Sequence, residues 1–433
     1  MVTELEQGGM KPVAGCHSVV TGCIHNLQQD IKTSKFSTMS GFTFRKNSRG
    51  FSKITFPFMR RTIIPATNLL FDVRITHRGN MPMTGPCFIY GNHSNYFDPF
   101  ILNVDMTGEP TAGIMTRDQF HKTIPRVFMD SIGIVPTSKY IPEPGIIRDV
   151  MRMIDQERMI VIFPEGGRRW DGRPKSIIES TLKLFWKMKV PVHPVRIHGS
   201  YLGWPRWARF PRRSSIEAEW LEPLNAADYS DYDTFSRVCL EKIDFEEYTP
   251  PQEAIPTASW KPASGIERFI YRCPETGESG AVYTPDGTRV CSRTATFDYQ
   301  MDHASRLVDR DGQTHSLIKL YDSIKAMPMI IDREGELLRE EVSRFFTIGR
   351  RHQLVELGTG IITLDQGGLS YHYGAASGRI PLEEIRVFSV DQPQKLSVTD
   401  SQRTFQFTVS GSALQWQHYL RRLMEGETPV SSL

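Results

Sequence analysis

The sequence of 433 residues is poor in cysteine and has no long apolar segment. Its six cysteines lie far apart, which excludes the disulfide framework of a small secreted protein and favours a reducing compartment. No run of eighteen or more apolar residues is present, so we predict no transmembrane helix. Residues 1–28 lack a basic start followed by an apolar block, and we therefore expect no signal peptide.

The sequence also lacks the patterns of two common catalytic centres. Its histidines and cysteines do not have the spacing of a metal site, and we expect neither a metal nor another cofactor. No Gly-x-Ser-x-Gly segment is present, which argues against a serine hydrolase. The net charge is only +3, but basic residues are concentrated in 45–78 and 168–213. Such zones suit phosphate groups, anionic lipid or nucleic acid, although a solvated basic face explains either zone equally well.

The order of sequence patterns predicts regions of different structure. Residues 1–45 have no periodicity, and we expect a disordered tail. Residues 46–248 alternate apolar runs with amphipathic stretches, which predicts an α/β layer: a largely parallel sheet flanked by helices. A proline-rich linker, 249–265, then leads to a small α+β connecting region, 266–340. Short strand-like runs followed by one helix in 341–433 predict a mostly-β domain that resembles a pleckstrin-homology-like (PH-like) or GRAM-like domain.

Hydrophobic patterns place individual strands and helices within these regions. Apolar runs predict buried strands at 87–90, 159–163 and 192–197. Apolar residues at helical spacing predict helices at 176–189, 317–326 and 413–424. A Pro-Asp-Gly turn at 285–287 predicts a β-hairpin. In the last region, strand-like runs are predicted at 353–357, 361–364, 369–373, 385–390, 395–398 and 404–409.

The most informative motif, GNHSNYFDP at 91–99, directly follows the first predicted strand. Asp98 precedes Pro99 and an apolar run, so we expect Asp98 to cap a helix. The loop can fold back and bring the Asp98 carboxylate to the His93 imidazole, which would fix the tautomer of the ring. His93 could then act as a general base toward an alcohol. Taken alone, this spacing more often reflects a capping aspartate beside a surface histidine.

A second motif, FPEGGRR at 163–169, follows the second predicted strand. Open α/β sheets place their sites in loops at the carboxyl ends of strands. Gly166 allows the backbone to approach a ligand closely. Arg168 or Arg169 can grip a phosphate with a planar fork of donors. Glu165 could hold the glycerol part of a substrate or keep an arginine in place.

Together the two motifs resemble the glycerolipid acyltransferase family, that of 1-acylglycerol-3-phosphate acyltransferase. Segments 117–125, 133–136 and 190–195 resemble its other conserved blocks, and the likeness covers 69–224. The resemblance implies that His93 is the base and that Asp98 orients it. It implies contacts with the acceptor phosphate and glycerol by Glu165, Gly166, Arg168, Arg169, Arg117 and Lys139. The implied reaction moves a fatty-acyl group from acyl-CoA or acyl-carrier protein to a lysophospholipid, 1-acylglycerol-3-phosphate, and gives phosphatidic acid.

Three departures from the family pattern concern the acceptor. Lys139 is the nearest candidate for a basic residue that is commonly Arg, Gly167 replaces a Thr, and Glu179-Ser180 replaces Lys-Gly. Acylation of glycerol-3-phosphate or another lysolipid is therefore an alternative. A lipid-binding membrane scaffold without turnover is a further alternative, against which the intact His93 and Asp98 argue.

Two segments predict contact with a membrane surface. Apolar residues in 51–71 recur at roughly helical spacing around two arginines, as in an interfacial helix or in a helix packed on the core. The segment 201–213 interleaves aromatic residues with arginines, which suits lipid headgroups better than nucleic acid. We expect a cytoplasmic protein peripherally associated with a membrane and no nucleic-acid partner. The expected membrane contacts are Phe58, Arg60, Arg61, Trp204, Trp207 and Arg209.

Overall fold

The computed structural model describes residues 44–116, 123–137, 144–247, 257–348 and 354–431. The expected disordered tail, 1–45, therefore lies almost entirely outside the described residues, and so does half of the expected linker. Within the described ranges, no helix is both long enough and apolar enough to cross a membrane.

A seven-stranded sheet forms the centre of the first region. Its strands are β1 (Val73–Thr76), β2 (Cys87–Gly91), β3 (Ala112–Thr116), β4 (Ile134–Thr137), β5 (Met159–Ile162), β6 (Val192–His198) and β7 (Ile216–Trp220). They lie in the order β1-β7-β6-β2-β5-β3-β4, and every neighbouring pair is parallel except β6 and β7. The prediction of a largely parallel sheet is confirmed, and the three predicted buried strands are β2, β5 and β6.

Helices cover both faces of this sheet because successive strand residues point to opposite sides. The helices are α1 (Thr55–Arg61), α2 (Ile63–Phe71), α3 (Asp98–Ile101), α4 (Thr123–Ile132), α5 (Pro144–Asp155), α6 (Glu179–Met188), α7 (Ser200–Gly203) and α8 (Tyr232–Ile243). On one face, Phe88 and Tyr90 of β2 pack in a core with Phe185 of α6. On the other face, Ile89 of β2 packs in a core with Phe71 of α2.

The connecting region contains a small antiparallel sheet and one helix. Its strands are β8 (Val282–Tyr283), β9 (Arg289–Ser292), β10 (Asp298–Met301), β11 (Leu307–Val308) and β12 (Thr314–His315), followed by α9 (Leu317–Ala326) and the short strand β13 (Ile330–Ile331). Strands β8 and β9 form the predicted hairpin. Trp207 of the first region and Phe269 of the connecting region belong to one buried core. This shared core attaches the connecting region to the first region.

The last region is a curled antiparallel sheet closed by a helix. Its strands are β14 (Leu338–Ile348), β15 (Leu354–Asp365), β16 (Gly368–Tyr373), β17 (Ala376–Pro381), β18 (Val387–Gln392), β19 (Lys395–Thr399) and β20 (Thr404–Thr408), followed by α10 (Ala413–Met424) and β21 (Val430–Ser431), which pairs with β13. The seven strands β14 to β20 lie in the order β17-β16-β15-β14-β20-β19-β18. Trp416 and Leu420 of α10 pack in one core with Phe345 and Phe407 of the sheet. The prediction of a mostly-β domain closed by one helix is confirmed.

Candidate active site

The two motifs lie side by side because their strands are neighbours. Strand β2 pairs in parallel with β5, with Tyr90 opposite Ile162, so both strands end at the same edge of the sheet. The backbone N–H of Arg169 donates to the carbonyl of His93 at 2.7 Å and joins the two loops directly. Glycine is required at position 91, because a Cβ atom there would lie 2.5 Å from the Val195 carbonyl oxygen.

His93 and Asp98 are in direct contact. His93 Nδ1 lies 2.8 Å from Asp98 Oδ2, and the Asp98 side chain is completely buried. The same Oδ2 accepts hydrogen bonds from the backbone N–H groups of Ser94 at 2.8 Å and Asn95 at 2.9 Å. Oδ1 accepts a hydrogen bond from the Ser200 hydroxyl. The carboxylate is thus fixed from both sides, and it fixes the imidazole in turn.

The expectation that Asp98 caps a helix is wrong. Helix α3 begins at Asp98 itself, its N-cap is Phe97, and no side chain caps it. The Asp98 carboxylate instead turns back toward the preceding loop, where it organises the segment between His93 and Asp98. The pairing of carboxylate and imidazole therefore does not depend on helix capping.

The surroundings of His93 favour the neutral ring. Its imidazole stacks on the Phe163 ring, with centroids 4.3 Å apart and planes inclined by 16°. Burial lowers the pKa of His93 below its usual 6.5, the Asp98 carboxylate opposes this shift, and the charges of Arg168 and Lys175 add to it. With Nδ1 held by Asp98, Nε2 is the ring nitrogen that can receive a proton. The site presents a neutral, oriented base near neutral pH.

Glu165 and Arg169 form a buried ion pair that supports the second loop. Both Glu165 carboxylate oxygens accept hydrogen bonds from the Arg169 guanidinium, with distances of 2.6 to 3.1 Å. The guanidinium also donates to the carbonyl of Phe245 at 2.7 Å, and its side chain is fully buried. The prediction that Arg169 contacts the acceptor phosphate is therefore wrong, because its donors point into the protein. Of the two roles considered for Glu165, the structure shows the one that keeps an arginine in place.

Glu247 is a buried residue of the site that the sequence reasoning missed. Its Oε1 accepts hydrogen bonds from Asn92 Nδ2 at 2.9 Å and from the Ser94 hydroxyl, and its Oε2 accepts one from the Tyr201 backbone N–H at 2.9 Å. Arg169 Nη1 lies 3.6 Å from Oε1. Burial raises the pKa of the Glu247 carboxyl from 4.5 to about 7, against the lowering effects of Arg169 and Ser94. One carboxylate thus connects both motif loops with the turn that begins α7.

Two cations lie near His93 on the side of the second loop. The Arg168 guanidinium lies 3.5 Å from the centre of the Tyr96 ring. Lys175 Nζ donates to the carbonyls of Glu165 at 3.3 Å and Gly167 at 3.2 Å. The positive charges of both side chains lower the pKa of His93. Lys175 had not been predicted as a site residue, since it lies beyond the recognisable motif.

The remaining predicted acceptor contacts have different positions. Gly166 has a φ of +64°, and a Cβ atom there would lie 2.5 Å from Ile178 Cδ1, so glycine suits both the turn and the space. Arg117 and Lys139 lie outside the described residues. In the described part of the chain, no group of three or more His, Cys, Asp or Glu side chains is arranged to hold a metal ion.

An apolar cavity lies beside the His93 loop. It has a volume of about 50 Å³, and Tyr96 of the loop and Pro99 of α3 are among the residues that line it. Met59 of α1, Met115 of β3 and Met129 of α4 line other parts of the wall. Methionine side chains adapt readily to chains of different shape. The cavity therefore offers an apolar surface next to the candidate base.

The predicted membrane contacts on α1 differ in exposure. Phe58 is 56% exposed, and Arg61 is also exposed. Arg60 is half-buried and donates to the carbonyls of Val104 and Met106, both at 2.9 Å, and its membrane contact stays a prediction. Because α1 buries residues such as Met59, one face of this helix packs on the core. The contact of its exposed face with a membrane stays a prediction.

The predicted membrane contacts in 204–209 also differ in exposure. Trp204 is half-buried, and Arg209 is exposed. The prediction for Trp207 is wrong, because this side chain is only 1% exposed. Its ring stacks on Phe269, and its indole N–H donates to the Tyr201 hydroxyl at 3.1 Å. Trp207 belongs to the core shared with the connecting region.

Comparison with known structures gives low overall similarity. The 1-acyl-sn-glycerophosphate (LPA) acyltransferase PlsC from Thermotoga maritima has 19% sequence identity and a TM-score of 0.36, with 43% of this chain and 80% of that chain covered. The N-terminal PH domain of human ARAP2 has 20% identity and a TM-score of 0.18, with 20% of this chain and 78% of that domain covered.

Comparison with protein families and curated sequences gives partial matches, and the family match lies within the first region. Proteins named 1-acyl-sn-glycerol-3-phosphate acyltransferase from Limnanthes alba and Limnanthes douglasii are each 26% identical over 85 residues, 19% of this chain. The chain spans 30% of the length of these relatives. The Acyltransferase family model matches residues 72–198, which include both motifs. The matched residues contain the His93–Asp98 pair and the loop of the second motif.

Proposed function

We propose that the chain is an acyltransferase that moves a fatty-acyl group from a thioester onto the hydroxyl of a lysophospholipid. The observation that carries the proposal is the contact between His93 Nδ1 and the buried Asp98 carboxylate at 2.8 Å, inside the region matched by the family. A carboxylate in this position fixes the imidazole tautomer and stabilises the imidazolium that forms during the reaction.

The geometry supports a direct transfer with His93 as general base. His93 Nε2 takes the proton of the acceptor hydroxyl as its oxygen attacks the thioester carbonyl carbon. The tetrahedral intermediate then collapses and the carbon–sulfur bond breaks. The imidazolium gives its proton to the leaving sulfur, and His93 returns to its neutral form. The products are an ester and a free thiol. General-base catalysis of this kind contributes typically about 10²- to 10⁴-fold to the rate.

The acceptor that we propose is 1-acylglycerol-3-phosphate, with phosphatidic acid as the product. The names of the Limnanthes relatives support this choice. Arg168 and Lys175 support it as well, because both cations act on His93 and could hold an acceptor phosphate beside the base. Either acyl-CoA or acyl-carrier protein would supply the thioester, and the apolar cavity beside Pro99 would receive part of an acyl chain.

Acyl transfer by the purified full chain would test the proposal. Lysophosphatidic acid, glycerol-3-phosphate and lysophosphatidylcholine would be offered as acceptors, each with acyl-CoA and with acyl-carrier protein. We expect phosphatidic acid as the main product and loss of turnover in His93→Ala, with an unchanged circular dichroism spectrum. Phosphatidic acid formation at the wild-type rate by His93→Ala would refute the role of His93. No transfer to any acceptor by the wild type would refute the proposed activity.

A further inference from the structure

Two segments that are distant in sequence form one surface near the candidate active site. Arg213 and Ala258 exchange backbone hydrogen bonds, with N–O distances of 2.9 and 2.7 Å. The Arg209 N–H donates to the Ser264 carbonyl at 2.9 Å, so the two segments run antiparallel. The guanidinium of Arg212, which is buried between these contacts, donates to the Pro262 carbonyl at 2.6 Å. These bonds hold 209–213 against 258–264.

This pairing brings aromatic and basic side chains together at the protein surface. Trp260 is 82% exposed, Phe210 is 36% exposed, and the Arg209 guanidinium lies 5.6 Å from the centre of the Phe210 ring. Arg213 and Lys261 are exposed as well. Neither 209–213 nor 257–261 contains an acidic residue. We refer to Arg209, Phe210, Arg213, Trp260 and Lys261 as the aromatic–basic surface.

The aromatic–basic surface is connected to the His93 loop through Trp204. The Trp204 indole N–H donates to the Ala208 carbonyl at 3.1 Å, at the start of this surface. Its ring contacts those of Tyr96 at 5.3 Å and Phe97 at 5.9 Å between centroids, and both residues lie between His93 and Asp98. Tyr96 is 39% exposed. Trp204 thus joins the start of this surface to the loop that carries the candidate base.

We propose that the aromatic–basic surface binds the headgroup region of a bilayer that contains anionic phospholipids. Transfer of an exposed indole from water into the interface between headgroups and acyl chains lowers the free energy, and tryptophan is enriched in that interface. The exposed cations are complementary to lipid phosphates and carboxylates, and each basic residue near an anionic membrane strengthens binding. This lipid-binding role is separate from acyl transfer, and it brings the His93 loop to the membrane surface.

Bilayer contact explains this combination of side chains better than contact with another polyanion. Three cations alone would suit an acidic peptide or a nucleic acid equally well. An exposed tryptophan and a partly exposed phenylalanine add apolar area, which the interface of a bilayer takes up without a specific partner. Removal of the aromatic rings with all charges kept therefore distinguishes a bilayer from a polyanion that is held by charge alone.

Co-sedimentation of the full chain with vesicles would test this proposal. The vesicles would contain phosphatidylcholine with or without phosphatidylserine. The test variants are Trp260→Ala with Phe210→Ala, and Arg213→Glu with Lys261→Glu. The matched controls are Leu240→Ala, an exposed apolar residue on α8, and Lys319→Glu, an exposed cation on α9. All variants would also be assayed with short-chain lysolipid and acyl-CoA below their micellar concentrations.

We expect each double variant to lose about tenfold or more of its affinity for anionic vesicles, and each control to keep it. Binding of the wild type should weaken as salt is raised, and monomeric short-chain substrates should react at the wild-type rate in every variant. Wild-type vesicle binding by either double variant would overturn the proposal. Loss through the charge changes alone, with the aromatic variant unaffected, would overturn it in favour of a polyanion site. If neither the wild type nor any variant turned over the short-chain substrate, this result would contradict the proposed acyl transfer. It would leave the vesicle-binding result to decide the proposal of membrane binding.

Discussion

Glu247 offers a sharp test of the buried network beneath the two loops. Its carboxylate is completely buried, and the pKa of this group is raised from 4.5 to about 7 by burial. An acid whose pKa is raised on folding binds its proton more tightly in the folded state than in the unfolded state. Its contribution to stability is therefore fully present below pH 4.5 and is lost as the pH rises to about 7.

The size of this effect follows from the two pKa values. The difference between 4.5 and about 7 corresponds to about 3 kcal/mol, at about 1.4 kcal/mol for each pKa unit. Glu247→Gln keeps the shape of the side chain and one oxygen acceptor but does not titrate. The free energy of unfolding of Glu247→Gln, relative to wild type, should therefore rise by up to about 3 kcal/mol between about pH 5 and pH 8.

Urea unfolding of both proteins at several pH values would measure this difference. Titrations of other groups are common to both proteins, so the difference between the two curves isolates position 247. Parallel curves over this pH range would refute the raised pKa. Glu247→Ala provides a second comparison, because it leaves Asn92, Ser94 and the Tyr201 N–H without their acceptor. We expect it to destabilise the protein by about 3–5 kcal/mol at pH 5, and by less at pH 8, because the wild type itself loses stability as Glu247 ionises.

Three further predictions concern the catalytic pair and its neighbours. Asp98→Asn should lower kcat by about 10³- to 10⁴-fold with the fold retained, because an amide holds the wrong tautomer of His93; a decrease of less than tenfold would contradict this role. Ser200→Ala removes a donor to the buried Asp98 and should lower kcat by about tenfold with little change in KM. The acid limb of the plot of kcat/KM against pH should lie below pH 6.5, because the pKa of His93 is lowered. Arg168→Gln removes a positive charge and should move this limb to higher pH. An unmoved limb would show that this charge does not act on His93.

The sequence allowed accurate prediction of elements whose residues form continuous patterns. Helices α9 and α10 have the predicted bounds, 317–326 and 413–424, because their apolar residues recur at helical spacing. Strand β15 was predicted as two separate strands, because Gly358 and Gly360 interrupt its apolar pattern. Strand β14 was not predicted, since its first half carries several charged residues. A local pattern predicts an element well only where the buried positions are all apolar and the exposed positions are all polar.

The parts of the site that escaped prediction depend on contacts between distant residues. Ser200 lies 102 positions from Asp98, and Glu247 lies 155 positions from Asn92. No local motif marks either residue, because an isolated Ser or Glu has many ordinary roles on a protein surface. The error for Arg169 has the same origin: its type suits phosphate binding, but its burial depends on the segment that ends α8. Residue type indicates which chemistry is possible, and tertiary contacts determine which is used.

We predict that the C-terminal half of the chain holds the loop of the second motif in place through direct contacts. Trp170, next to the second motif, packs against the cores of both the connecting region and the last region. Arg206 donates to the carbonyl of Arg168 at 2.8 Å and to that of Val390 in β18. A fragment that ends at residue 247 would expose Trp207, and it would lose the partners of Trp170 and Arg206.

We therefore expect this fragment to aggregate or to unfold at lower urea concentration than the full chain, and to lose acyl transfer. Exposure of the buried Trp207 ring alone should cost about 2–3 kcal/mol. Co-expression with the segment 257–433 should restore both solubility and turnover, because the contacts of Trp170 and Arg206 do not require a continuous chain. A soluble fragment 44–247 with the activity of the full chain would contradict this reasoning. The C-terminal half would then have no part in holding the second motif in place.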